Sequence, residues 1–145
     1  MNGVVYATKD YYYALIRAGD FDITKFLIRE EYSEKDNIRQ LAEIEPGAFK
    51  KVFDRPGHIY IVDESTFIYS KSSEEYISRD KVRIKAHMYI DNIWNEINKH
   101  LDKYELITYD NTEEYWKNVR GGKEGYLKRK QEYVNKVLKY IEESE

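Results

Sequence analysis

Pro56-Gly57-His58-Ile59-Tyr60-Ile61-Val62-Asp63-Glu64-Ser65-Thr66-Phe67 is the stretch on which the fold turns. A Pro-Gly turn signal leads into an apolar run that carries an aromatic, and the run leaves through two acidic residues. That pattern predicts a buried strand over 58–62, the best in the chain, beside an edge that could face a ligand. Upstream, residues 3–7 read as a short buried strand. Thr8 is placed to cap a helix over 9–18, with Asp10 near its positive end and Gly19 as a left-handed stop. Tyr12, Leu15 and Ile16 share one face of that helix, so Tyr12 is expected in the core.

Between these blocks, residues 26–30 look like a second strand. A polar stretch over 31–37, hairpin or loop, separates it from a partner strand over 38–44. Glu45-Pro46-Gly47 signals a turn, and residues 48–53 make a helix of one or two turns. Downstream of the central block, 64–76 reads as a loop broken by Phe67, Ile68 and Tyr69. Residues 76–78 and 81–85 are strand-like, the second alternating with period two. From Asp91 the period becomes 3.6, with Ile90, Ile93, Trp94, Ile97 and Leu101 at helical spacing and Asp91 or Asn92 near the start. Residues 104–109 form a last strand, at a sheet edge. A helix begins at 112–116 and breaks at 121–125, and 127–142 is a final amphipathic helix with Tyr133, Val134, Val137, Leu138 and Ile141 along one side.

A chain of 145 residues is long enough for one core and short for two, so a single domain over 1–145 is expected. Hydrophobic residues at 41% and charged residues at 35% describe a chain that collapses and keeps a polar surface. With 24 basic against 27 acidic residues, no general attraction to nucleic acid or anionic lipid is expected. No run of about 18 apolar residues suggests a membrane span. The chain has no cysteine, which excludes disulfides, thiolate metal sites and a cysteine nucleophile, and suits a cytoplasmic location. Fifteen tyrosines stand against five phenylalanines and two tryptophans. Tyrosine fills core and shallow binding surface equally well, and an AT-rich coding sequence would produce the same usage.

The chemistry on offer is sparse. Gly121-Gly122-Lys123 lacks the strand before it and the hydroxyl after it that a phosphate loop needs. His58, His87 and His100 fall in three separate elements, with none at the spacing of a helical metal pair. Of these only His58 begins the central strand; His100 suits a helix C-terminus, and His87 a strand end or turn. Glu30/Glu31, Glu74/Glu75 and Glu113/Glu114 are adjacent pairs of the solvated kind. The basic residues from Lys123 to Lys139 are diluted by Glu124 and Glu132, as on a wet helix face.

Val4-Val5-Tyr6-Ala7-Thr8, Pro46-Gly47-Ala48-Phe49, the 56–63 block, Phe67, and Tyr76-Ile77-Ser78-Arg79-Asp80-Lys81-Val82 follow one another in an order that resembles small ADP-ribosyltransferase-like proteins of the rifampin ADP-ribosyltransferase type, over roughly residues 3–85. The resemblance implies an α+β fold, a small mixed or antiparallel sheet core over 3–110 with flanking helices and a C-terminal helical extension over 112–145. It also implies a nicotinamide pocket at Tyr6 and Thr8, with His58 or Ser78 orienting ribose. Two features depart from the family. The Tyr-His-Gly-type motif that grips the adenosine side of NAD is lacking ahead of Tyr6. Ile68 and Tyr69 follow Phe67 where a carboxylate would stabilise an oxocarbenium-like transition state, leaving Asp63 or Glu64 to substitute.

The function expected is therefore a non-catalytic binding module on this scaffold, with no cofactor and a protein partner, or a homo-oligomer joined through an edge strand. The alternative is a reduced NAD-dependent transferase in which Tyr6 stacks on nicotinamide and Glu64 supplies the charge.

Overall fold

The computed structural model describes residues 3–20, 28–72, 75–108 and 113–144, which form a small mixed α+β protein of eight strands in three small sheets and five helices. They gather into two compact units, the described residues of Met1–Asp20 with Lys50–Leu101 and those of Phe21–Phe49 with Asp102–Glu145. The division falls inside one helix, α2 (Ala48–Phe53).

In the first unit, β1 (Val5–Ala7), β5 (Ile68–Ser70) and β6 (Glu75–Ser78) make an antiparallel sheet in the order β1-β6-β5. A separate antiparallel ribbon pairs β4 (Gly57–Val62) with β7 (Ile84–Ile90), with a register shift at Ile61/Val62. The helices are α1 (Tyr11–Arg17) and α3 (Ile93–Asn98). Leu15, Ile16, Phe53, Ile93 and Ile97 are fully buried. The Phe53 and Trp94 rings lie parallel, 6.1 Å apart at the centroids. Gly57 sits where a Cβ would come within 2.7 Å of Ile93 Cδ1, so the Pro-Gly pair serves close packing as well as chain reversal.

Several boundaries differ from the sequence expectation. Asp10, not Thr8, caps α1, its carboxylate accepting from the Tyr12 and Tyr13 amides, while Thr8 Oγ1 accepts from the Asp10 amide. The helix closes on Ala18 in right-handed geometry. Gly19 is needed for space, since a Cβ there would lie 2.9 Å from Phe53 Cδ1 and 3.0 Å from the Val52 carbonyl. Residues 68–70, expected in a loop, pair with β6. The strand expected over 81–85 begins at Ile84 and runs to Ile90, so His87 lies mid-strand. Asn92 caps α3, and Leu101, expected on its apolar face, is exposed.

In the second unit, β2 (Ile28–Ser33) and β3 (Ile38–Glu43) form a hairpin whose turn places Asn37 at φ 53. Asn tolerates that left-handed geometry better than most residues. The strand expected over 26–30 thus runs three residues further, and 26 and 27 lie outside the described residues. β8 (Tyr104–Ile107) joins β3 in parallel, giving the order β2-β3-β8. The helices are α4 (Glu113–Lys117) and α5 (Gly122–Ser144). Ile44, Trp116 and Tyr126 form a buried cluster with Tyr115, Val119 and Leu127 packed against it.

The expected break at 121–125 does not occur at Gly125. That residue lies within α5, and a Cβ on it would fall 2.5 Å from the Arg120 carbonyl, so the glycine lets the first turn pass close to the preceding chain. Gly121 and Gly122, at φ 72 and 66, turn the chain into the helix. On the apolar side expected of α5, Val134 is buried but Tyr133, Leu138 and Ile141 are exposed.

Candidate functional site

Antiparallel partners point to the same face of a sheet and successive residues to opposite faces. Val5 faces Ser78 and Tyr6 faces Ile77, so the Tyr6 and Ser78 side chains leave opposite faces of β1-β6-β5. Tyr6 is 49% exposed. Ser78 is buried and its hydroxyl is engaged, sharing a 2.7 Å hydrogen bond with Thr66 Oγ1 and accepting from the Asp80 amide. Thr8 is committed to the Asp10 amide. Glu64 is 82% exposed, and its Oε2 lies 3.5 Å from Lys9 Nζ, which itself sits over the Tyr76 ring. Asp63 accepts from the Ser65 amide, and hydrogen bonding to Ser65 holds its carboxyl below the usual range.

His58 stands on the other strand pair of that unit. There the β4–β7 register sets His58 opposite Tyr89 and Tyr60 opposite His87, making one face of the ribbon a ladder of four rings. His58 Nδ1 and His87 Nε2 are 2.6 Å apart, while the ring centres are 4.8 Å apart and the planes 22° from parallel. That separation leaves barely one ring radius on either side of the nitrogens. The imidazoles therefore meet edge to edge through a shared proton. Histidine spacing along the chain gave no sign of this pair, because cross-strand register creates it.

Thus Lys9 links Glu64 to the Tyr76 side of the small sheet, and Thr66 links to Ser78, but the five expected residues do not share one cleft. Among the described residues, no three side chains gather that could hold a metal ion, and no helix is long and apolar enough to cross a membrane.

A cleft of about 690 Å³ opens in the second unit, within the size range of small-molecule sites. By register, Arg29, Ala42 and Ile107 share one face of β2-β3-β8 with Glu31, Gln40 and Glu105. Tyr115 of α4, Arg120, and Arg129 of α5 complete the walls. Arg29 is half-buried, with its guanidinium carbon 5.0 Å above the Tyr126 ring. Burial pushes the Tyr115 hydroxyl up to about 12, although positive Arg29 nearby pulls the other way. Tyr115 Oη and Arg29 Nε are both buried without a hydrogen-bond partner. The sequence contained the alternation Arg29-Glu30-Glu31-Tyr32, the signal that could have separated a cleft face from an outer face once the strand was placed correctly.

Comparison with models of protein families, with curated proteins and with solved structures returns no match in any of the three.

Proposed function

We propose that the chain is an ADP-ribosyltransferase-like scaffold acting as a binding module that does not turn over NAD. One observation carries the reading: the polar groups that would hold and activate NAD are already used within the fold. Thr8 accepts from Asp10, Ser78 is tied to Thr66 and Asp80, and His58 is bonded to His87. Glu64 lies in water beside Lys9. A carboxylate stabilises a developing cation strongly only in a preorganised site that excludes water, and a solvated, ion-paired carboxylate supplies little of that effect.

The surface that suits a protein partner is aromatic. Tyr60 and Tyr89, each about half exposed, share one face of the β4–β7 ribbon. Tyrosines with free faces are favoured anchors at interfaces, where they bury much area at low entropic cost.

Ligand-observed NMR with millimolar NAD, followed overnight for free nicotinamide, tests this reading. The expected result is no nicotinamide above the rate in buffer. Release that disappears in Glu64→Gln would replace the binding module with a reduced NAD-dependent transferase.

A further inference from the structure

We infer that the cleft over β2-β3-β8 binds a small oxyanion, the carboxylate or phosphate group of a small molecule, with Arg29 as its principal contact. The site does not depend on the transferase-like scaffold.

The arginines of the molecule set the standard. Arg39 projects from the opposite face of the same sheet and pairs with Glu30 while lying over the Tyr32 ring, and Arg55 pairs with Asp20 at 3.4 Å. Among the described residues Arg29 has no ion pair, and its Nε, like that of Arg39, is shut off from solvent without a hydrogen-bond partner. A half-buried guanidinium without a counter-ion is costly, and the ring of Tyr126 offsets only part of that cost. Tyr115 Oη, also buried, lies within reach of the Arg29 guanidinium, so the two groups converge on one cavity.

Guanidinium forks match the planar oxygens of carboxylates and phosphates in two-point geometry. Further positive charge comes from Arg120 and from Arg129, whose Nη1 donates to the Arg120 carbonyl at 2.8 Å and leaves the remaining donors of its fork available to a ligand.

The rim limits the size of the ligand. Glu31, Glu105 and Glu114 line the mouth and are exposed, and Glu105 accepts from Gln40 Nε2. Extended polyanions such as nucleic acid would meet that acidic rim, whereas a single oxyanion reaches Arg29 past it. A ligand with a neutral or cationic remainder fits both zones.

Titration of the ¹⁵N-labelled full chain with inorganic phosphate, and separately with acetate, at ionic strength held constant with chloride, tests the inference. Saturable amide shifts centred on Arg29, Tyr115 and Arg120 are expected with at least one of the two anions, and the anion that saturates at lower concentration distinguishes phosphate from carboxylate ligands. Arg29→Met should weaken that binding about tenfold or more. Because Arg29 is half-buried, Arg129→Met, at an exposed position, serves as a second variant and should weaken binding by a smaller factor. Shifts that never saturate with either anion would overturn the site, as would saturable binding that both variants leave unchanged.

Discussion

Tyr115 makes the second unit sensitive to alkali. Its hydroxyl is neutral when protonated, and burial raises its folded-state pKa to about 12 from an ordinary value of 10.0. The contribution is complete below pH 10 and is lost as pH climbs from 10 toward 12, because the unfolded chain gives up the proton first. Urea unfolding at pH 9 and pH 11.5 should show the native chain losing more stability across that interval than Tyr115→Phe. Equal losses would mean that the phenol is freely hydrated. Arg29 belongs to the same argument, since removing its charge should raise the hydroxyl further. Little of this was readable from residue identities. Arg29 lay near the end of an expected strand over 26–30, and only the register with Ala42 and Ile107 puts it on the face that bears the cleft.

At the scale of elements, Gly57 and Ile93 offer a clean test of packing. A Cβ at 57 would lie 2.7 Å from Ile93 Cδ1, 3.1 Å from its Cγ1 and 3.3 Å from the Ala18 Cβ. Gly57→Ala should cost about 1–3 kcal/mol through overpacking. Ile93→Val removes Cδ1, the nearest atom, so thermal melts of the double variant should show a smaller loss than the two single changes added together. Simple additivity would show that the backbone, not this contact, absorbs the strain. Elements defined by local patterns were legible in their bounds: β4, the partner strand β3 and the short helix α2 lie within a residue of expectation, although β4 is not the buried strand its apolar run predicted, since Tyr60 and Ile61 are about half exposed. Those defined by distant partners were not. β5 has three residues and exists through β6, and the alternation at 81–85 marks the approach to β7 rather than its centre. The His58–His87 contact likewise depends on pairing across 29 residues.

For the whole molecule, the order of the segments matters more than any one contact. Each unit is built from two separated stretches, and the second takes β8, α4 and α5 from the end of the chain. A chain ended after Leu101 therefore leaves β3 without its parallel partner and Ile44 without Trp116 and Tyr126. Hydrogen exchange on that truncated chain should find the amides of 28–43 unprotected while those of β4 and β7 keep their protection. Protection of both would mean that the hairpin stands alone. Two-stranded hairpins seldom do so in water.

The parallel pairing of β3 with β8 also sets a timetable for birth on the ribosome. The hairpin emerges early, but the strand that closes its edge is not made until residues 104–107 have been added. Through that interval the nascent chain carries an open row of amide and carbonyl groups on β3, available to any neighbouring strand. Slow translation between the two, rather than weakness of the finished fold, is then the condition under which this protein would be expected to aggregate.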